Sequence, residues 1–254
     1  MTMNSISTES AFTSPYKDRD VEERQFHPLP ATVLMDQDLE EQIPWVFEDY
    51  LPVGSLVILA AKPKVGKTTL AYQLAVKVAK GEAFLERSTR QGGVLILALE
   101  EHPRDVRLRL KELGGGLDNL YVHSGGLEPN QKNMETIEAF VKEHRITLIL
   151  VDTLAMFWRL DDENDPSRLT KVVKPLLQLA RHTGACVLLI HHFRKSEGEQ
   201  GDEIRGSGAL LASVDVAVRL YRDANCSRRI LKAVGRYADT PAELVIELQD
   251  GNMW

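Results

Sequence analysis

Ala61, Lys62, Pro63, Lys64, Val65, Gly66, Lys67, Thr68 and Thr69 form the stretch with the most specific chemistry in the sequence. A Gly-Lys-Thr run between an apolar segment and a helical pattern wraps backbone N–H groups around a polyphosphate. The positive end of the following helix adds to that attraction. Lys67 is the point charge that reaches β- and γ-phosphates. Thr68 offers a hydroxyl to Mg²⁺, a hard cation that takes oxygen ligands. The expectation is ATP and Mg²⁺ bound on residues 61–69. The usual pattern opens with glycine, and here that position is Ala61, which serves if its φ stays negative.

A phosphate loop needs an acid near the metal and a group that orients the attacking water. Asp152 ends the apolar run ITLILVD and is the candidate metal-side carboxylate. Glu100 and Glu101 end GVLILALEE, where ligands bind in open α/β sheets, and one of them can take a proton from water. Glu101 also fits a helix-start acid, favoured by the dipole, better than Glu100 does. His191 and His192 end ACVLLIHH. Neighbouring strand residues face opposite sides, so only one is expected to reach the nucleotide. No Cys or Asp stands at ligand spacing to make the pair a zinc site.

These groups need strands that end together. SLVILAA (55–61), GVLILALE (93–100), ITLILVD (146–152) and ACVLLIHH (185–192) read as buried strands, with LYVHSG a shorter one. Helical patterns TTLAYQLAVKVAKG, PRDVRLRLKELG, NMETIEAFVKEHR and DPSRLTKVVKPLLQLARHTG alternate with them. Continuously apolar strands between helices predict an α/β fold with a mostly parallel central sheet covered on both faces. VDVAVRLYRD, SRRILKAVGR and ELVIELQDG read as closing strands, a C-terminal antiparallel extension. Residues 1–40 are polar and aperiodic, and read as a disordered or loosely docked arm. Residues 41–254 form the expected nucleotide-binding domain.

Cys186 and Cys226 give neither a disulfide framework nor a metal spacing, which makes a reducing cytoplasmic setting the default. The apolar runs are too short to span a bilayer, so no membrane association is expected. The net charge of −6 excludes a surface coated in phosphate-binding charge but not a local basic channel.

In order and spacing, AAKPKVGKTTLAYQLA, GGVLILALEEHPRDVRLRLKELG, ILVDTLAMFWRLDDENDPSRL, CVLLIHHFRK and RGSGALLASVDVAVRL resemble the RecA-like ATPase domain of RepA-type hexameric helicases. DnaB-type helicases are more distantly similar. The resemblance covers Trp45 to Leu248 and implies a RecA-like P-loop NTPase that hydrolyses ATP as a homo-oligomeric, hexameric ring on single-stranded DNA. It implies Glu100 as catalytic glutamate, Asp152 as Mg²⁺-side aspartate and His192 as γ-phosphate sensor. Arg236, in AVGRYADTP, corresponds to an arginine reaching into a neighbour's site. DnaB-type proteins carry Lys two residues earlier, where this chain has Val234. Residues 194–208 correspond to the channel loop, with Arg194, Lys195 and Arg205 as candidate DNA contacts.

Charge weighs against that loop. Glu197, Glu199, Asp202 and Glu203 outnumber its cations. Residues 219–236 are more basic, with Arg219, Arg222, Arg228, Arg229, Lys232 and Arg236 against Asp223. This stretch reads as a DNA-facing or interface stripe, or as a solvated hairpin with one buried arginine. Two functions stay open: a DNA-stimulated motor, and a regulatory or assembly-switch ATPase without translocation. A small-molecule kinase fits worst, because no lid-like arginine cluster follows the phosphate loop.

Overall fold

The computed structural model describes residues 28–36, 43–158, 166–192, 213–223, 227–249 and 252–253. The chain divides into two units, Met1–Gln42 and Ile43–Trp254. In the first, Ala31–Met35 forms the short helix α1.

The second unit is built on a nine-stranded sheet in the order β11-β10-β9-β8-β3-β7-β6-β4-β5. Its strands are β3 (Leu56–Ala61), β4 (Gly93–Ala98), β5 (Leu120–Ser124), β6 (Ile146–Asp152), β7 (Cys186–His192), β8 (Val216–Arg222), β9 (Arg228–Gly235), β10 (Glu243–Gln249) and β11 (Asn252–Met253). The pairings from β8 through β3, β7, β6 and β4 to β5 are all parallel. Those of β8–β9, β9–β10 and β10–β11 are antiparallel. This is the expected mixed α/β sheet with its antiparallel C-terminal extension. A separate two-stranded ribbon joins β1 (Trp45–Phe47) to β2 (Leu51–Pro52).

Strand alternation sorts the core into two layers. Val57, Leu59 and Ala61 of β3 pack with Leu70, Tyr72, Leu74 and Val78 of helix α2 (Lys67–Lys80) and Val106 of α3 (Pro103–Glu112). Leu56, Ile58 and Ala60 face the other layer. There they meet Ile137 and Val141 of α4 (Gln131–Glu143), Leu154 and Phe157 of α5 (Leu154–Trp158), and Val173, Leu176 and Leu179 of α6 (Pro166–Thr183). Helices on both faces are what continuously apolar strands require.

The register brings the strand ends together. Ala61 lies opposite His192, and Ala98 opposite Asp152. One strand, β7, stands between the phosphate-loop strand β3 and the Asp152 strand β6. β4 stops at Ala98, two residues short of the expected end, so Glu100 belongs to the turn leading into α3.

The opposite edge is held by Asp215. Its carboxylate accepts from Leu56 N (3.0 Å) and Arg181 (2.7 Å), which ties the starts of β3 and β8 to the end of α6.

Candidate nucleotide site

The loop after β3 turns at Lys64 (φ 64°) and Gly66 (φ 110°) before α2 begins at Lys67. Gly66 is needed twice. Its φ is left-handed, and an added Cβ would stand 2.7 Å from Met253 Cε. Ala61 is a buried strand residue paired with His192 and is not among the positive-φ residues. The condition for Ala at the usual glycine position is therefore met. No side chain caps α2 at Gly66, which leaves its first N–H groups for an anion. Val65 is buried, while Lys62, Pro63 and Lys64 are exposed; Thr68 and Thr69 are half-buried.

Lys67 is 4% exposed. Its Nζ donates to the carbonyls of Ala61 (3.1 Å) and Lys62 (3.3 Å) and lies 3.2 Å from His192 Nδ1. Burial pushes its pKa below the usual lysine value, while Asp152 and Glu100 pull it back up. Charged Lys67 donates to Nδ1, which leaves the His192 Nε2 proton facing Glu100, whose Oε2 is 3.8 Å away. His191 points elsewhere and is buried. Burial, then His192 and Lys67, lower its pKa to about 4, so it stays neutral. The alternation expected of the histidine pair is thus observed.

Asp152 is 3% exposed, and its Oδ2 has no hydrogen-bond partner. Its pKa is raised to about 6, by burial first and then by Glu101 and Glu100; Arg109 and a hydrogen bond with Thr68 act the other way. A buried, unsatisfied carboxylate oxygen next to a threonine hydroxyl is a donor set suited to a hard divalent cation. The residues present therefore fit Mg²⁺, with Thr68 and Asp152 as the groups that would hold it.

The two glutamates have separate environments. Arg109 grips both carboxylate oxygens of Glu101, with Nη2 at 2.8 Å from Oε1 and Nη1 on Oε2. The same guanidinium lies 4.9 Å from the Tyr72 ring centroid. Glu100 is half exposed and stands on the His192 side. The fork fixes the orientation of Glu101 and commits both of its oxygens to a cation. Glu100 is not held by Arg109, so it is the better placed of the two to accept a proton from water.

Arg236 is elsewhere. Gly235 pairs with Val216 at the start of β8, whereas Arg229 pairs with Arg222 at its end. Arg236 therefore sits at the edge opposite the phosphate loop, about 20 Å away along a strand of this length. Its guanidinium lies 3.6 Å from Asp215. Arg194, Lys195 and Arg205 lie outside the described residues. In the basic stretch, Arg228 pairs with Glu247 (3.7 Å) and Lys232 with Glu243 (3.3 Å) on β10.

Two residues at this site, Arg109 and Tyr72, were not expected from the sequence, and Arg229 was expected only as one of a basic stretch in which one arginine is buried. Arg109 and Tyr72 belong to helices whose faces are set only by packing. Arg229 is buried, and its Nε donates to the Val65 carbonyl at 2.8 Å. Its signal was its place two residues before apolar Leu231 and four before Ala233, on the inward face of β9.

A phosphate loop on β3, the Asp152 strand β6 beyond β7 and a free carboxylate after β4 make up the framework of a RecA-like P-loop ATPase. Residues 22–198 match the family described as "AAA domain", more than half of the chain, and the chain belongs to it. It is similar to the DNA repair protein RadA of Halalkalibacterium halodurans, 26% identical over 204 residues, 79% of this chain and 40% of that protein. RadA of Streptococcus pneumoniae is 24% identical over 204 residues, 79% of this chain and 44% of that one. RadA of Bacillus subtilis is 25% identical over 201 residues, 78% and 40%. The chain thus spans less than half the length of these relatives. Among the described residues no helix is long and apolar enough to cross a membrane.

Proposed function

We propose that this chain is a Mg²⁺-dependent ATP hydrolase, a RecA-like motor stimulated by single-stranded DNA and working as a homo-oligomeric ring, hexameric as in the RepA-type helicases it resembles. The observation that carries the hydrolase reading is the division of labour between Glu101, held by Arg109, and Glu100, which faces His192 at 3.8 Å and is not held by Arg109.

The chain's own groups account for the chemistry. Loop N–H groups and the start of α2 bind the phosphates. Lys67 exchanges its contacts with Ala61, Lys62 and His192 for phosphate oxygens. Glu100 accepts the proton of the attacking water as its oxygen bonds to the γ-phosphorus and the bond to the departing ADP breaks. His192, freed by Lys67, can hydrogen-bond the γ-phosphate. Bound Mg²⁺ would neutralise charge on the β- and γ-phosphate oxygens.

DNA stimulation and the shared site rest on two other observations. The relatives are named as DNA repair proteins, and Arg236 is remote from this chain's own loop, as a residue acting on a neighbour would be. The second reading is a switch ATPase without translocation. The cross-strand pairing of Arg228 and Lys232 with Glu247 and Glu243 favours it, because that pairing offsets cations a DNA backbone would otherwise meet. ATP turnover measured with and without single-stranded DNA at low salt separates the two. A several-fold stimulation supports the motor; DNA-independent turnover supports the switch; no turnover under either condition rules out both.

A further inference from the structure

We infer that Arg229 is a positioning residue for the phosphate loop, acting through the Val65 carbonyl to aim the Gly66 N–H at the bound phosphates. The inference rests on the nucleotide site proposed above.

Strand alternation splits the basic stretch. Arg228 and Lys232 face outward with exposed side chains, while Arg229 turns inward and is 4% exposed. Its Nε donates to Val65 O at 2.8 Å. Its Nη1 donates to the carbonyls of Ser227 (2.9 Å) and Arg228 (3.1 Å). The guanidinium is thus fixed to the start of β9 at one end and to the loop at the other.

The Val65 carbonyl and the Gly66 N–H belong to one peptide plane. That peptide is trans, so the two groups point in opposite directions. A cation holding the carbonyl from outside turns the N–H inward. It also polarises the peptide, which strengthens the N–H as a donor. Gly66 is the residue with least intrinsic resistance to peptide rotation, so an external restraint matters most there. The extension supplies a second one. The Met253 methyl rests on Gly66, and the Met253 N–H donates to Gln73 Oε1 of α2 at 2.9 Å.

The test is calorimetric titration of the full chain with Mg-ADP, alongside melting without nucleotide. Wild-type protein is expected to bind, and Arg229→Met to bind roughly tenfold to a hundredfold more weakly, the range for one charge-assisted hydrogen bond. Arg229→Lys, which keeps the charge and one donor, loses less. A bracing role alone would lower the melting temperature and leave the affinity of the folded protein unchanged. Wild-type affinity in folded Arg229→Met therefore overturns the inference. If that variant fails to fold, Arg229→Gln, which removes the charge and shortens the reach to Val65, takes its place, and wild-type affinity there overturns the inference. No binding by the wild type would remove the nucleotide site itself, and the inference with it.

Discussion

Lys67 Nζ and His192 Nδ1 are 3.2 Å apart, so the loop cation and the strand-end imidazole hold each other at the place where a γ-phosphate would arrive. The two carbonyl contacts occupy the remaining ammonium protons. A phosphate that takes Lys67 must displace one of these partners, and His192 is the one that can respond by changing partner. Lys67→Ala is expected to weaken ATP binding roughly a hundredfold or more, since several charge-assisted contacts go at once. Calorimetry checks it, and unchanged affinity would remove the site. His192→Ala should bind ATP and turn it over slowly.

Glu100→Gln should bind ATP nearly as the wild type does and lose turnover, because the amide keeps the shape and lacks the base. Glu101→Gln should matter less. Arg109 supplies a sharper comparison. Arg109→Met removes the fork from Glu101 and leaves two free carboxylates near Asp152. That change should raise the Asp152 pKa further and shift the lower limb of the pH–rate profile upward. An unaltered profile would mean that Arg109 only packs on Tyr72.

Asp152 carries a pH signature. Its folded pKa, about 6, lies above the ordinary 3.8 because burial and the two glutamates oppose ionisation. A raised carboxylate pKa means the folded state binds the extra proton. Stability from this group is present below pH ~4 and is lost as pH rises towards 6. Ionised Asp152 thus costs the metal-free protein on the order of 3 kcal/mol at neutral pH. Asp152→Asn should therefore raise the melting temperature at pH 7.5 and not at pH 4, while abolishing any Mg²⁺-dependent rise. Metal binding to the wild type should weaken as pH falls through 6. A destabilised Asp152→Asn protein at pH 7.5 would contradict this account.

The sheet and its helices were legible because long apolar runs and helical spacing leave few alternatives; β6 ends at Asp152 as expected. The ribbon β1–β2 and the two-residue β11 were not, because strands of two or three residues carry no periodicity. Lys67 could be proposed from its Gly-Lys-Thr run, and Asp152, Glu100 and His192 because each ends or follows an apolar run. Arg109 was not legible, and neither was the contact of Arg229 with the Val65 carbonyl. A helix carrying Arg104, Arg107 and Arg109 does not say which arginine turns towards Glu101. For residues 219–236 the hairpin with one buried arginine was among the expected readings, but not which arginine turns inward, nor that Arg228 and Lys232 face β10 acids.

Arg236 lies just beyond β9, beside the start of β8. Its guanidinium is mostly exposed and 3.6 Å from Asp215, which already accepts from Arg181 and Leu56 N. Asp215 is buried but keeps Arg181 and the Leu56 N–H when the water-exposed Arg236 end of the pair is removed, so Arg236→Ala should change the melting temperature little. Its place at the far edge of the sheet keeps it from its own chain's phosphate loop. If it serves a neighbour's nucleotide as an arginine finger, its loss should slow hydrolysis by roughly 10³ to 10⁵ with ATP binding retained. Glu100→Gln should be equally inactive for a different reason. Mixing the two inactive proteins should then restore part of the activity, because some interfaces pair an intact Glu100 with an intact Arg236. A mixture that stays inactive, together with a lowered melting temperature for Arg236→Ala, would reduce Arg236 to a local brace. A fully active monomer by light scattering, with ATP and DNA present, would rule out the shared site.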